Sequence, residues 1–380
     1  MRRITLRPRD GWQREVEHQG LIWHSDARGV YWDESAAYAF GPAEIETIET
    51  ASEELHELYR EAGHRIASDE RLMAQCGIPA PYHAAVSDSW RRRDPALDYG
   101  RFDLGYAGDG PPKLFEYNCD TPTAMLETAI VQWAWKEDVF PHADQFNSLH
   151  EKLRARWQAL RPLLPGGHGW FAHVADDAHE DSITATYMRE IAQEAGVETH
   201  PVLIEQIGVD GAGRIVDQDD YLITALFKLY PWEWIAEEVF GSAILPHLAT
   251  TIWLEPAWKM LWSNKGVLAV LWDMFPGHPN LLPAAFTPEA VGPSHVVKPV
   301  HAREGANIRI MEGGAVIASS GGAYDGPCVY QARYPLRDFG HGYPVLGSWV
   351  VAGEAAGLGI REDGLITANA ARFIPHIIEE

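Results

Sequence analysis

The segment 100–118 constrains the fold of this chain most, because two runs of alternating apolar and polar residues flank an Asp-Gly turn signal. The runs read Arg-Phe-Asp-Leu-Gly-Tyr and Lys-Leu-Phe-Glu-Tyr-Asn, and Asp109-Gly110 lies between them. Alternation on both sides of such a turn predicts a β-hairpin. Two prolines directly after the turn favour a looser connection between the strands.

Pairing outward from that turn places Asp103 opposite Glu116 and Arg101 opposite Asn118, with all four side chains on one face. Facing carboxylates repel unless a cation or a proton lies between them. The oxygens of Asp103, Glu116 and Asn118 suit Mg²⁺, and Arg101 can hold a phosphate beside them. The hairpin leaves an alternative equally open, a surface network in which Arg101 neutralises both acids. The opposite, apolar face would consist of Phe102, Leu104, Phe115 and Tyr117.

Other polar positions are of the kind that bind nucleotides. Lys298 lies within an apolar strand, Val-Val-Lys-Pro-Val, where we expect its charge to be paired with an anion. Lys265 lies at the head of a helix, Arg361 lies in a late hairpin, and Gln331 follows a strand and suits an adenine edge. A glycine-containing loop, 303–307, suits contact with phosphates. Each of these signals is weak alone, since a lysine in a strand more often forms a structural ion pair.

Several common catalytic motifs are absent from the sequence. It contains no Gly-x-x-x-x-Gly-Lys-Ser/Thr loop, and no Gly-x-Gly-x-x-Gly joins a predicted strand to a helix. His-Glu-x-x-His and Gly-x-Ser-x-Gly are absent too. These absences disfavour P-loop, dinucleotide-binding and common hydrolase sites.

Composition and net charge indicate which class of partner the protein binds and in which cellular compartment it works. The formal net charge of −23, from 54 acidic and 31 basic residues, argues against nucleic-acid binding. It suits a cationic substrate such as a polyamine, although a solubilising acidic surface explains the charge more simply. Three scattered cysteines, no signal peptide and no apolar run long enough to cross a bilayer lead us to expect a cytoplasmic protein without a membrane partner.

The pattern of secondary structure changes along the chain. Apolar residues at helical spacing predict a long amphipathic helix over 42–75. From 169 to about 254, strand-like and helix-like stretches alternate, which predicts a βαβ arrangement in an α/β lobe. A helix over 264–275 and several further strands follow. We therefore expect a mixed α/β (α+β) fold.

Taken together, these segments resemble the synthetase part of the glutathionylspermidine synthase family. The similarity covers most of the chain, and several motifs in the same order are more specific than any one of them. The motifs are Arg101-Phe-Asp, Glu116-Tyr-Asn-Cys-Asp-Thr-Pro-Thr123 with Glu127, Lys228-Leu-Tyr-Pro-Trp-Glu-Trp234, Glu255-Pro-Ala-Trp with Ser263-Asn-Lys265, Val297-Lys298-Pro, and Gly359-Ile-Arg361-Glu.

The resemblance implies an ATP-grasp fold and an ADP-forming carboxylate–amine ligase that uses ATP and Mg²⁺. Segments 1–165 and 255–380 would build the nucleotide cleft, and 166–254 would be a pre-ATP-grasp-like substrate lobe. A small-molecule or short-peptide carboxylate would be phosphorylated to an acyl phosphate. An amine or polyamine would then displace phosphate and leave an amide.

The resemblance also implies roles for individual residues. Arg101 and Arg361 would act in catalysis by steadying the γ-phosphoryl group. ATP would be bound by Arg101, Lys265, Lys298 and Gln331. The magnesium ligands would be Asp103, Glu116 and Asn118. Residues at the acyl and amine substrates would be Asp120, Thr121, Thr123, Glu127 and Glu233.

The sequence also departs from the family pattern. Pro122, between two threonines where the family has serines, reshapes the acyl-substrate loop and leaves glutathione open as the acid. We expect no amidase domain of the kind that bifunctional members carry. The acid, the amine and the oligomeric state stay open. Two alternatives are a non-catalytic nucleotide-binding or regulatory protein on the same fold, and a metal-dependent hydrolase that uses the acid hairpin alone.

Overall fold

The computed structural model describes residues 1–27, 29–176, 179–324, 326–369 and 371–379. The helices in these ranges are α1 (Trp12–His18), α2 (Pro42–Ala67), α3 (Glu70–Gln75), α4 (His83–Arg92), α5 (Gln132–Val139), α6 (Leu149–Leu160), α7 (Glu180–Glu194), α8 (Trp232–Glu237), α9 (Val239–Ile244) and α10 (Val267–Met274). Short 3₁₀ or π turns connect several of them. Among the described residues, no helix is both long and apolar enough to cross a bilayer.

The strands of the described ranges are β1 (Arg2–Thr5), β2 (Ser25–Asp26), β3 (Gly29–Val30), β4 (Ala36–Phe40), β5 (Tyr99–Gly105), β6 (Lys113–Asn118), β7 (His168–His173), β8 (Glu198–Leu203), β9 (Gly208–Val209), β10 (Ile215–Val216), β11 (Ala225–Leu229), β12 (Ile252–Leu254), β13 (Ala284–Ala285), β14 (His295–Pro299), β15 (Arg309–Glu312), β16 (Ala315–Ser319), β17 (Cys328–Ala332), β18 (Tyr343–Val351), β19 (Glu354–Asp363), β20 (Arg372–Phe373) and β21 (His376–Ile378). Together with the helices they confirm the mixed α/β class.

Three sheets form the scaffold of the site. The hairpin sheet has the order β20-β19-β18-β5-β6 and is antiparallel. The second antiparallel sheet has the order β13-β17-β14-β15-β16. The parallel sheet has the order β12-β11-β7-β8. A smaller sheet, β1-β4-β21, brings the two ends of the chain together.

The predicted register of the hairpin is confirmed at its functional face. Arg101 pairs with Asn118, and Asp103 pairs with Glu116. Beyond Asp103 the predicted register is wrong. It pairs Leu104 with Phe115, but a bulge makes Leu104 pair with Leu114. A bulge leaves one residue of the longer strand unpaired and turns it. Phe115 therefore lines the cleft described below instead of joining the apolar face.

The amphipathic helix is confirmed in its first 26 residues, but it ends earlier than predicted. Its buried face includes Ile48 and Leu55, which pack in the core beneath the hairpin sheet. The helix ends at Ala67 because the side chain of Asp69 accepts hydrogen bonds from the first backbone N–H groups of the next helix. Such a cap starts a new helix, so α3 replaces the predicted continuation to residue 75.

The predicted βαβ pattern is confirmed in the parallel sheet. α7 connects β7 to β8, and β11 is buried along its whole length, as expected of a strand covered on both faces. The residues that follow the carboxyl ends of β7 and β11 line the cleft, among them Val174 and Tyr230. Ligands commonly bind at this end of a parallel sheet.

A buried ion cluster fixes the start of the hairpin. The ammonium of Lys259 lies 3.1 Å from a carboxylate oxygen of Asp98 and 3.9 Å from one of Glu255. The imidazole of His56, on α2, lies 3.5 Å from Asp98. Burial would raise the pKa of Asp98, but Lys259 and His56 overcome this effect and lower it. Burial raises the pKa of Glu255 to about 7. Since Asp98 directly precedes β5, the cluster ties this strand to α2 and to residues 255–259.

We predict that Lys259→Met destabilises the protein by about 3–5 kcal/mol, because it removes a buried cation from the buried carboxyl group of Glu255 and the partly buried one of Asp98. Urea unfolding at neutral pH measures this difference. Arg60→Met is the matched control, since it removes an exposed ion pair with Glu57 and should cost less than about 1 kcal/mol. Equal stability of the two variants would contradict the role given to the cluster.

Candidate active site

A cleft of about 780 Å³ lies between the two antiparallel sheets and the carboxyl end of the parallel sheet. Ten of the predicted site residues line it, although they come from distant parts of the chain. They are Arg101, Asp103, Glu116, Asn118, Thr121, Thr123, Lys265, Lys298, Gln331 and Arg361.

Asp103 is held by two guanidinium groups. Nε of Arg101 lies 3.0 Å from its Oδ1, and Nη2 of Arg361 lies 2.5 Å from its Oδ2. Arg101 also donates a hydrogen bond to the backbone carbonyl of Thr123 at 2.6 Å. Asp103 is 4% exposed and Arg101 is 7% exposed. The alternative of a surface charge network is therefore wrong, because these groups are buried at the base of a cleft.

Glu116 faces Asp103 and is paired with a different cation. Nζ of Lys265 lies 2.9 Å from Oε2 of Glu116, and Nδ2 of Asn118 donates to Oε1 at 3.4 Å. Burial would raise the pKa of Glu116, but Lys265 and Lys298 overcome this effect and lower it well below its usual range. The carboxylate is thus ionised at neutral pH.

Lys298 is a buried cation with neutral partners. Within the described part of the chain, its ammonium donates to the carbonyl of Phe115 at 2.8 Å and to Oε1 of Gln331 at 2.7 Å, without a carboxylate in direct contact. The prediction that the charge of Lys298 is paired with an anionic side chain is therefore wrong. Burial lowers the pKa of Lys298 to about 8, although the charge of Glu116 opposes this effect. A buried ammonium in this state gains free energy when an anion binds beside it.

Gln331 holds Lys298 in place. Its oxygen accepts from the lysine, and its Nε2 donates to the backbone carbonyl of Leu114 at 2.9 Å. The amide therefore joins β17 to β14 and to the hairpin. Contact between Gln331 and an adenine edge stays a prediction.

Arg303 connects two predicted substrate residues. Its Nε lies 3.2 Å from Glu233, its Nη2 donates to the hydroxyl of Thr121 at 2.9 Å, and its guanidinium lies over Trp234. Glu233 lies in a small cavity that adjoins the cleft. The sequence indicated Arg303 only as part of a glycine-containing loop. Nothing in the local pattern showed that this side chain joins Thr121 to Glu233.

Asp120 and Glu127 lie outside the main cleft. Asp120 forms an ion pair with Lys228 at 2.6 Å and accepts the backbone N–H of Trp232 at 2.9 Å. Glu127 accepts a hydrogen bond from the hydroxyl of Tyr31 at 2.7 Å. Burial raises the pKa of both carboxyl groups. Since both are satisfied inside the protein, their geometry supports a structural role, and substrate contact through them stays a prediction.

Acidic residues that the sequence did not single out also line the cleft. Glu180 and Asp181 open α7, and Asp176 and Glu304 lie nearby. Burial, and then the neighbouring carboxylates, raise the pKa of Glu180 to about 7. For Asp176, Glu180 and Asp181, the position after the carboxyl end of β7 was the available signal, because ligands bind where parallel strands end. These acids attract a cation to this side of the cleft.

The donor set fits a magnesium ion with a polyphosphate. Asp103, Glu116 and Asn118 offer hard oxygen atoms on one face of the hairpin, and each ionised carboxylate oxygen has a further lone pair beyond its present partner. Four cationic side chains that could contact phosphate oxygens lie in the same cleft, namely Arg101, Lys265, Lys298 and Arg361.

Comparisons with known proteins find a matching family and relatives described as ligases. Residues 3–379 match the family model described as glutathionylspermidine synthase preATP-grasp. A Haemophilus influenzae protein described as an acid–amine ligase is 40% identical over 366 residues, covering 91% of this chain and 90% of the relative. The bifunctional glutathionylspermidine synthetase/amidase of Escherichia coli is 26% identical over 88% of this chain. The match spans 58% of that longer protein.

A solved structure confirms the expected fold. The glutathione synthetase-like effector of Globodera pallida superposes with a TM-score of 0.56 and covers 98% of both chains. Its sequence is 11% identical, so the likeness concerns the fold alone. The chain therefore has the glutathione synthetase-like, ATP-grasp-related fold.

We predict that nucleotide affinity falls as pH rises above about 8. A bound phosphate favours the protonated form of Lys298 and raises its pKa, so above pH 8 binding must take up a proton. The dissociation constant should rise by up to about tenfold per pH unit until the pKa of the bound form is reached. Calorimetric titration with Mg-ADP checks this. Lys298→Met should weaken binding and remove the pH dependence, and an unchanged profile in this variant would contradict the assignment.

Proposed function

The chain belongs to the glutathionylspermidine synthase family, and from this premise we propose that it is an ATP-dependent acid–amine ligase. The observation that carries the proposal is the meeting of the two facing acids Asp103 and Glu116 with four cationic side chains in one cleft. A hydrolase that used the hairpin acids alone would leave Lys298 and Arg361 without a function.

The proposed reaction has two steps. The carboxylate of the acid attacks the γ-phosphorus of ATP, and ADP leaves with the electron pair of the broken bond. The resulting acyl phosphate is attacked by a neutral amine, which displaces inorganic phosphate and loses a proton to give the amide. A free carboxylate does not form amides near neutral pH because oxide is a poor leaving group. The protein contributes positioning and charge stabilisation.

The side chains around Asp103 suit the first step. We assign Arg101 and Arg361 to the γ-phosphoryl group, because Asp103 holds both guanidinium groups at one point of the cleft. Lys265 and Lys298 would bind phosphate oxygens, and Gln331 would orient Lys298. Asp103, Glu116 and Asn118 would hold Mg²⁺, which supplies charge neutralisation at the phosphates when bound.

The substrate residues lie beside this centre. Thr121 and Thr123 line the cleft and would lie at the acid, with Arg303 bound to Thr121. Glu233, on the other side of Arg303, would lie towards the amine. We propose a small-molecule or short-peptide acid and an amine or polyamine. The names of the relatives support these classes, and the acidic residues of the cleft support a cationic amine.

The three-part organisation is part of the proposal. Residues 1–165 and 255–380 would form the nucleotide cleft, and 166–254 would form the substrate lobe. Two findings support this division. Arg101, Lys265, Lys298 and Arg361, together with the facing acids Asp103 and Glu116, come from the first and last segments, and the parallel sheet directs the carboxyl ends of its strands to the same cleft.

The proposed function is tested by ADP release from the purified protein with Mg-ATP and a panel of acids and amines. We expect release that requires one particular acid and one particular amine, and the amide should appear in equal amount. Release without any amine, with hydrolysis as the only product, would contradict a ligase. ATP binding without turnover for any pair would support the non-catalytic alternative.

We predict that Arg361→Ala lowers the rate of ADP formation by about 10²–10³, because one contact to developing charge is lost. Steady-state assays with saturating ATP measure this change. Arg361→Lys should recover part of the rate, since the positive charge remains but the two-pronged geometry does not. Arg60→Ala, on the exposed face of α2, serves as the control. Wild-type turnover in Arg361→Ala would contradict the role of this residue.

A further inference from the structure

A cluster of three potential metal ligands lies outside the cleft, where β7 and β8 begin. His168 pairs with Glu198 in the parallel register, and His200 lies two residues further along the same strand as Glu198. Residues two apart on a strand share a face, so the three side chains lie together. Nδ1 of His168 is 3.0 Å from Nε2 of His200 and 3.8 Å from Oε1 of Glu198. The three ligand atoms all lie within 4.8 Å of one another.

We propose that His168, Glu198 and His200 bind a divalent transition metal ion such as Zn²⁺ or Ni²⁺. Two imidazole nitrogens and one carboxylate favour these ions over Mg²⁺, which prefers oxygen ligands alone. Two nitrogens at about 2.1 Å from one ion are about 3.0 Å apart at an octahedral angle and about 3.4 Å apart at a tetrahedral angle. The separation of 3.0 Å found here fits octahedral Ni²⁺ directly, and a small movement of the rings fits tetrahedral Zn²⁺. The side chain of Glu198 is 69% exposed and free to rotate towards the ion.

Aromatic stacking orients both imidazoles before any metal binds. The ring of His200 stacks on His168 with centroids 5.2 Å apart and on Trp170 with centroids 4.6 Å apart. The indole N–H of Trp170 donates to Asp217 at 3.1 Å, which fixes the end of the stack. Because the two rings are already oriented, they lose less side-chain entropy when a metal ion binds than freely rotating rings would.

The two facing nitrogens share one hydrogen between them when both rings are neutral. Coordination requires a lone pair on each of these nitrogens, so the shared hydrogen moves to the outer nitrogen of its own ring. Coordination by two neutral rings therefore needs no net change of charge on the protein.

The site lies at the opposite end of the sheet from the cleft. His168 begins β7, and the residues after the other end of this strand, Val174 and Asp176, line the cleft. The five residue steps between the ends of β7 span about 17 Å. The metal would therefore join β7 to β8 and stabilise the parallel sheet without contacting the reacting groups.

Calorimetric titration of the chelator-treated, untagged protein with Zn²⁺, in the presence of excess Mg²⁺, tests the proposal. We expect one saturable site per chain and a rise in Tm on binding. His200→Gln and His168→Gln should each weaken binding by more than about 100-fold, because losing a ligand costs more than losing its outer partner. Glu198→Gln should weaken it less. His142→Gln, which alters an exposed histidine elsewhere, should bind as the wild type does.

Three further measurements make the result decisive. Asp103→Asn should keep Zn²⁺ affinity, which separates this site from the cleft. Circular dichroism of each variant checks its fold, and the two histidine variants, both at partly exposed positions, provide independent tests. The visible absorption of Co²⁺ should appear in the wild type and be lost in both. Absence of saturable binding in the wild type, or equal affinity in the wild type and both histidine variants, would overturn the proposal.

Discussion

Everything in the cleft depends on two carboxylates that face each other across the hairpin. Asp103 and Glu116 repel each other, and burial increases the cost of their charges. Arg101 and Arg361 form ion pairs with the first, and Lys265 forms an ion pair with the second, so each carboxylate has a cationic partner. The same contacts place three cations at the base of the cleft. A magnesium nucleotide carries both signs of charge. On binding, its metal ion can replace the cationic side chains as the partner of the carboxylates, and its phosphates can replace the carboxylates as partners of the cations. Binding then creates no unpaired buried charge.

Buried polar contacts between distant parts of the chain keep these groups in position. Lys259 and Asp98 fix the start of β5, and Gln331 fixes Lys298 between two sheets. The ion pair of Asp120 with Lys228 joins the loop after β6 to the parallel sheet. Each of these contacts connects residues that are distant in the sequence. The relative position of the sheets, and hence the shape of the site, follows from them.

The parts of the site that the sequence predicted are those with a local signal. Alternation on both sides of one turn was enough to place Asp103 opposite Glu116, but not to reveal the bulge that turns Phe115 into the cleft. A bulge depends on packing and on the looser connection between the strands. The neutral partners of Lys298 and the contacts of Arg303 could not be predicted, because they arise from tertiary packing between distant segments.

The most direct test of the account follows oxygen atoms through the reaction. An acid that supports turnover is labelled with ¹⁸O in its carboxylate, and the inorganic phosphate released with the amide is examined by mass spectrometry. If an acyl phosphate forms, one labelled oxygen is transferred from the acid to phosphate in each turnover, because the second step breaks the carbon–oxygen bond. Unlabelled phosphate, or the release of AMP instead of ADP, would contradict the proposed chemistry.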